Sequence, residues 1–340
     1  MQCCASCIGD RGLRKYIISD KSKATGTCSY CGTANELLID PADLRNYFEL
    51  LINIYSRNEK GKPLVEWFKK DWGLFMHPVM DVVHSKELLA DILDDVQISR
   101  ENFVPSELCH SERLNIWGKL KDELMHKNRF FPQTNINEDE RLEYLLDHLL
   151  LSSDEAIESW YRARIQPSEE MYPIEKMGAP PKRLASQGRA NPAGIPYLYL
   201  ASTPETAVSE IRPHTGEYAS VANFLVPKEL KLVDLRNPRS TVSPFLLSDE
   251  NEVALLRGDI EFLVHLGNEL TRPVLPHAAA IDYIPSQYIC EFIKRYGYHG
   301  VMYESSVGDG VNIAIFDSSN AVAGTVQRFW VSRVSVEVEN

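Results

Sequence analysis

Apolar positions follow two different rhythms along this chain. Between Asp40 and Leu151 they recur at helical spacing. Leu44, Tyr47, Phe48, Leu51 and Tyr55 fall at i, i+3, i+4, i+7 and i+11, one buried face of a helix. Asp40 before Pro41 reads as its N-cap with proline in the first turn. Leu142, Leu145, Leu146 and Leu149 form a second stripe within NEDERLEYLLDHLLL (137–151). Weaker helical segments fall near 64–70, 85–96 and 106–126. Residues 40–151 are therefore expected to be all-α, and SSDEAIESW (152–160) to be a short linking helix that carries the domain boundary.

From Trp160 the rhythm shortens. Proline and glycine crowd the stretch 167–196, and runs of strand length follow: YLYLA (197–201), SVANFLV (220–226), KLVDL (231–235), VNIAIF (311–316) and RFWVSRVSVEV (328–338). Helical pieces lie between them, near 204–212 and 286–296. Residues 152–340 read as an α+β domain of ordinary size.

Composition narrows the classes. The 340 residues, 44% hydrophobic and 25% charged, suffice to bury a core and suggest more than one domain. No apolar run reaches the roughly 18 residues a membrane span needs. The N-terminus MQCCASCIGD lacks the apolar region of a secretory signal, so a reducing cytoplasm is expected. A net charge of −12 argues against a nucleic-acid partner.

Five of the seven cysteines crowd the start: Cys3, Cys4, Cys7, Cys28 and Cys31. Cys4-x2-Cys7 and Cys28-x2-Cys31 match zinc-ribbon spacing. Each knuckle aims two thiolates at one point, and two knuckles complete a tetrahedral cage with no open position for chemistry. Residues 1–39 thus read as a zinc-ribbon-like module with a structural zinc on Cys4, Cys7, Cys28 and Cys31. Cys3 is the alternative to Cys4, and Gly26 and Gly32 are expected to supply the tight turns. Cys109 and Cys290 are isolated and read as small buried hydrophobes. His214, His265, His277 and His299 have no ligand-like spacing.

Dinucleotide-fold, P-loop, H-E-x-x-H and G-x-S-x-G motifs are absent. The informative run is GRANPAGIPYLYLASTPETAVSEIRP (188–213), a turn, a buried strand and a helix opened by Thr203-Pro204 that carries Glu210 between Val208 and Ile211. WYRAR (160–164) precedes it. GYHGVMYESS (297–306) follows it, just before VNIAIF. These blocks, in this order over roughly 158–330, resemble the RES family, named for its arginine, glutamate and serine. The resemblance implies a fold related to ADP-ribosyltransferases and an NAD-degrading toxin held by an antitoxin. It places the arginine on Arg162, with Arg164 as the other match, the glutamate on Glu210, and the serine on Ser305, with Ser306 beside it. Arg189 and Tyr199 match further pocket positions. The preceding part resembles the cysteine-bearing HEPN/RES N-terminal domain, which implies regulation, partner recognition or homo-oligomer formation.

The chemistry suits these residue types. A pyrophosphate matches planar guanidinium groups, here Arg162, Arg164 or Arg189. The oxocarbenium-like state of nicotinamide–ribose cleavage needs an anion, and Glu210 supplies one. Tyr199 and Tyr303 offer an aromatic wall for nicotinamide. Ser305 or Ser306 can contact a phosphate or orient the attacking group. The resemblance favours inorganic phosphate (an NAD phosphorylase) or water (an NAD glycohydrolase) as the acceptor. A protein acceptor would make the chain a mono-ADP-ribosyltransferase. A rival pair, Arg141 and His148, has the helical spacing of HEPN ribonucleases, which would make the chain an RNA-directed or non-catalytic interaction module. A charged face beside the leucine stripe is the favoured reading of that pair.

Overall fold

A computed structural model describes residues 1–19, 24–134, 140–152 and 157–335. The chain begins with β1 (Cys3–Cys4), α1 (Ala5–Ile8), α2 (Arg11–Ser19), β2 (Thr25–Gly26), β3 (Glu36–Ile39), α3 (Arg45–Ile52), β4 (Tyr55–Lys62), α4 (Leu64–Trp72), α5 (Val82–Leu93), β5 (Phe103–Pro105), α6 (Arg113–His126) and α7 (Glu140–His148). It continues with β6 (Ser159–Ile165), β7 (Leu198–Ala201), α8 (Pro204–Glu210), β8 (Tyr218–Leu225), β9 (Leu232–Asp234), α9 (Pro238–Thr241), α10 (Glu250–Thr271), α11 (Ala279–Asp282), α12 (Ile284–Arg295), β10 (Gly300–Glu304), β11 (Val311–Ile315) and β12 (Val322–Trp330). These elements form two compact units, Met1–Asn115 with Asn237–Val264, and Ile116–Arg236 with His265–Asn340.

In the first unit a small antiparallel sheet runs in the order β1-β3-β2. Asp40 caps a 3-10 turn, Pro41–Leu44, by accepting from Ala42 N at 3.0 Å, and α3 follows. Leu44, Phe48 and Leu51 are buried as their spacing requires. Phe48 packs on Phe68, Phe75 and Phe245 with ring centroids 6.0, 6.2 and 5.1 Å apart.

The segment 40–151 is not all-α. Tyr55, which continues the helical period, instead opens β4, which pairs antiparallel with β5. Beyond Tyr55 the run SRNEKGK carries no apolar face for a helix to bury. At Gly61 a side chain would collide with the Phe103 carbonyl.

Residues 237–264, inside the stretch expected to form the α+β domain, belong to the first unit. Buried polar contacts tie them in. Arg257 Nε donates to Asp71 Oδ2 at 2.7 Å, and Tyr55 Oη donates to the same oxygen at 2.9 Å. Ser111 Oγ donates to Asp259 Oδ1 at 2.6 Å. Asp10 Oδ1 accepts from Leu13 N and from Ser243 Oγ, both at 2.8 Å. α10 is a 22-residue helix that the apolar spacing did not signal. Its Gly258 lets the Cys109 carbonyl approach, since a Cβ there would lie 2.7 Å from that oxygen.

The second unit holds a seven-stranded sheet in the order β12-β8-β6-β7-β11-β10-β9. Neighbours are antiparallel except β9 and β10, so the unit is α+β as expected. β6 and β10 were not anticipated as strands. The first is interrupted by two arginines, and the second directly follows the Gly-x-x-Gly block. β12 starts before the expected run and ends at Trp330, and residues 336–338 of that run lie outside the described residues. Trp160, Leu198, Leu200, Phe224, Met302 and Ile313 fill one core cluster. Ala163, Ala201, Ala207, Ala219 and Val221 form the other, where α8 packs on β6.

The α7 leucine stripe is buried. The chain after it pairs with β9: Asp234 N donates to Leu149 O at 2.7 Å and Leu151 N to Leu232 O at 2.9 Å. The expected linking helix falls largely on residues 153–156, outside the described residues. No helix among the described residues is long and apolar enough to cross a membrane.

Burial pushes the Asp10 carboxyl up to about 6 from its ordinary 3.8, against the hydrogen bonds from Leu13 and Ser243. The fold therefore favours the protonated acid, and this contribution is lost as pH rises from about 4 through about 6. Asp10→Asn keeps the acceptor and removes the titration. Urea unfolding should show a flatter stability profile over that window and a gain of about 2–3 kcal/mol at pH 7.

Candidate active site

The GRANPAG turn is built by close packing. Gly188 N donates to Asn191 O at 2.9 Å. A Cβ at Gly188 would lie 2.5 Å from Asn191 Oδ1 and 2.6 Å from Tyr199 Oη, so only glycine fits. Tyr199 Oη donates to Asn191 Oδ1 at 2.6 Å and accepts from Ala190 N at 3.0 Å. Asn191 Nδ2 faces the carbonyls of Ser186, Pro192 and Ile195 at 2.8–3.0 Å. The turn is thereby locked onto β7, which sets Arg189 at the rim of a cavity.

That cavity measures about 420 Å³. Arg162, Arg189, Tyr199, Glu210, Tyr303 and Ser306 line it, as do Tyr161, Arg212, Tyr283 and Asn312. Thr203 caps α8 by accepting from Thr206 N at 3.0 Å, and Pro204 occupies the first turn. Val208 and Ile211 pack beside the alanine cluster, which leaves Glu210 at the end of α8 facing the cavity.

Glu210 Oε1 accepts from Ser305 Oγ at 2.7 Å and from Asn312 Nδ2 at 2.6 Å. Three elements thus fix one carboxylate: α8, the loop after β10, and β11. Asn312 is buried.

β6 and β7 pair only at Tyr161↔Ala201, and Arg162 lies where they part. Its Nη1 donates to Tyr199 O at 3.0 Å. Burial, with the nearby charge of Arg164, pulls its guanidinium down to about 10, which leaves it cationic at neutral pH. Arg189 Nη1 donates to Arg272 O at 2.6 Å and Nη2 to Ser306 Oγ at 3.1 Å, with the guanidinium 5.6 Å from the Tyr283 ring centre. Burial raises the Tyr199 and Tyr303 hydroxyls above the usual phenol range, so both are neutral.

The sequence-nominated residues divide by geometry. Arg162, Arg189, Tyr199, Glu210, Tyr303 and Ser306 come together around the cavity. Ser305 stands behind Glu210 as its donor. Arg164 is outside the lining: its Nη2 donates to Gly178 O at 3.1 Å and its guanidinium lies 6.0 Å from the Tyr172 ring centre. Asn312, Tyr283 and Arg212 were missed. Asn312 had a signal, a lone amide in the apolar run VNIAIF. Tyr283 and Arg212 had none.

In the rival pair, Tyr144 stands between the two members. The Arg141 guanidinium lies 4.8 Å from its ring centre, and the His148 ring centre 4.4 Å from it.

In the first unit, the sulfurs of Cys4, Cys7, Cys28 and Cys31 all lie within 4.8 Å of one another, and all four residues are buried. Cys4 is 3.9 Å from Cys7 and 3.5 Å from Cys31, and Cys7 is 3.1 Å from Cys28. Cys3 is outside the cluster, on β1 opposite Ile39. Gly32 takes φ +72° in the second knuckle, as expected. Gly26 instead lies in β2, where a Cβ would press on Leu38 at 2.9 Å. Its glycine serves close packing rather than a turn.

Removing the Tyr199 hydroxyl tests the locked turn. Tyr199→Phe should cost about 1–3 kcal/mol in chemical denaturation, because the Ala190 N–H and the Asn191 carbonyl oxygen lose a buried partner.

No curated protein matches the chain. Among solved structures it is similar to a chain from the crystal structure of the M. tuberculosis MbcT-MbcA toxin-antitoxin complex. The identity is 14% and the TM-score 0.34, over 57% of this chain and 94% of that one. Residues 159–335 match the family described as RES domain, 177 of the 340 residues (335 − 159 + 1). The match begins with β6 and takes in the arginine strand, the α8 glutamate and the serine loop around the cavity: the chain belongs to the RES domain family.

Proposed function

We propose that this chain is an NAD-consuming enzyme that cleaves the nicotinamide–ribose bond by phosphorolysis or hydrolysis. The observation that carries this reading is the Glu210 carboxylate, fixed by Ser305 and Asn312 in one cavity with Arg162 and Arg189. An acid held by two donors is oriented in advance of the reaction.

The roles follow from the reaction. As the C1′–N bond breaks, its electron pair leaves with neutral nicotinamide, and positive charge grows on the ribose. Glu210 stabilises that charge or holds the ribose hydroxyls. Arg162 and Arg189 balance the pyrophosphate. Tyr303 and Tyr283 supply flat apolar surface for the nicotinamide ring. Ser305 and Asn312 position Glu210, and Ser306 orients Arg189. An oxygen of phosphate or water then bonds to C1′, giving a phosphorylated ADP-ribose or ADP-ribose with release of a proton. Such an enzyme would drain NAD, and a toxin held by an antitoxin is the biological setting this implies.

We further propose a structural zinc on Cys4, Cys7, Cys28 and Cys31. The donor set fits: four buried sulfurs, 3.1–3.9 Å apart where paired, against about 3.8 Å in a tetrahedral Zn–S4 site. They are too far apart for disulfides, whose sulfurs lie about 2.05 Å apart.

Incubating the full chain with NAD, with and without inorganic phosphate, and resolving the products by mass tests the reaction. Phosphate-dependent loss with a phosphorylated product marks a phosphorylase, and phosphate-independent loss a glycohydrolase. Glu210→Ala should lower turnover about 100-fold or more. Undiminished turnover in that variant, or intact NAD under both conditions, defeats the reading.

Elemental analysis should find one zinc per chain. Cys28→Ser should lose it and lower the melting temperature, and zinc-free folded protein would refute the site.

A further inference from the structure

Of the three arginines lining the cavity, two already have fixed duties. Arg162 donates to the Tyr199 carbonyl, and Arg189 divides its terminal nitrogens between Arg272 O and Ser306 Oγ. The third, Arg212, is different. Its backbone N donates to Ser209 O at 3.0 Å, while its guanidinium has no hydrogen-bond or ion-pair partner among the described residues. Glu210 sits two residues earlier in the same lining, its Oε1 accepting from Ser305 and Asn312, and no ion pair joins it to Arg212 among the described residues.

The backbone makes this placement costly. Arg212 follows the last turn of α8 with φ +49°, the left-handed region where glycine commonly ends a helix. Pro213 follows it and narrows its choices further. Strain at a non-glycine residue of this kind persists where the surroundings impose it, and it clusters at functional sites. Glycine would turn the chain here without strain, and arginine adds only its side chain, at an exposed position among the residues that line the cavity.

We propose that Arg212 is a phosphate-contact residue of this cavity, its guanidinium taking an oxyanion of NAD's own pyrophosphate or of inorganic phosphate entering as second substrate. The planar fork of donors suits a phosphate oxygen pair. The proposal rests on the NAD reading above and adds a phosphate contact that the fixed arginines leave open.

Calorimetric titration of the full chain with ADP-ribose and with inorganic phosphate tests it without needing turnover. Arg212→Ala should weaken one of the two about tenfold or more, and Arg212→Lys should weaken it less. Loss for ADP-ribose assigns the contact to the dinucleotide, and loss for phosphate alone assigns it to the acceptor. Unchanged affinity for both overturns the proposal, even if the chain consumes NAD, as does a wild type that binds neither. Loss of ADP-ribose affinity in a chain that leaves NAD intact upholds the contact and sinks the proposed reaction.

Arg212→Gly separates contact from fold. It should lose binding as fully as Arg212→Ala yet melt at a higher temperature, since it relieves the backbone. Melting below Arg212→Ala, or binding that tracks melting temperature across the variants, would mean that the arginine only supports the fold.

Discussion

One carboxylate oxygen organises the cavity of the second unit. Glu210 Oε1 takes a proton donor from the loop after β10 and another from within β11, while its own backbone closes α8. β11 pairs with β7 on one side and β10 on the other, so it brings the GRANPAG turn and the serine loop into register around that acid. A carboxylate held this way is oriented before any ligand arrives. The cost lies in the fold: α8, β10 and β11 must all be in place before the acid is defined.

The first unit solves a different problem. Residues 237–264 join residues from the first third of the chain, and they do so through buried polar groups. Burying Asp71 and Arg257 removes hydration from both, and their attraction offsets that only because Tyr55 also donates to the carboxylate. Such pairs add little net stability and penalise misplacement heavily. Asp10 with Ser243 and Ser111 with Asp259 add further contacts of the same kind. A segment recruited from so far along the chain is thereby given one seat.

The cysteine cluster stands apart from this chemistry. Four sulfurs make a closed donor set with no position left for substrate. The sheet beside it has strands of only two to four residues, and Ile8, Leu13, Ile17 and Ile39 of the same segment are buried.

Local pattern was enough for much of this. The knuckle spacing placed the four sulfurs, the Asp40-Pro41 and Thr203-Pro204 caps opened the expected turns, and the α7 leucines are buried as their period demands. Six nominated residues, Arg162, Arg189, Tyr199, Glu210, Tyr303 and Ser306, line the cavity. These are short-range facts, carried by residues a few positions apart. Other features were decided only by the tertiary structure. Tyr55 fits a helical period and opens a strand, because the polar run after it has no apolar face to bury. On paper Arg164 is the alternative to Arg162 for the family arginine. Only the parting of β6 from β7 puts one in the cavity, while the other reaches the Gly178 carbonyl. The partners of Glu210 lie 95 and 102 residues away, and Arg212 faces the cavity through a backbone turn that its residue type disfavours. No local period encodes such meetings, since they depend on which strands become neighbours.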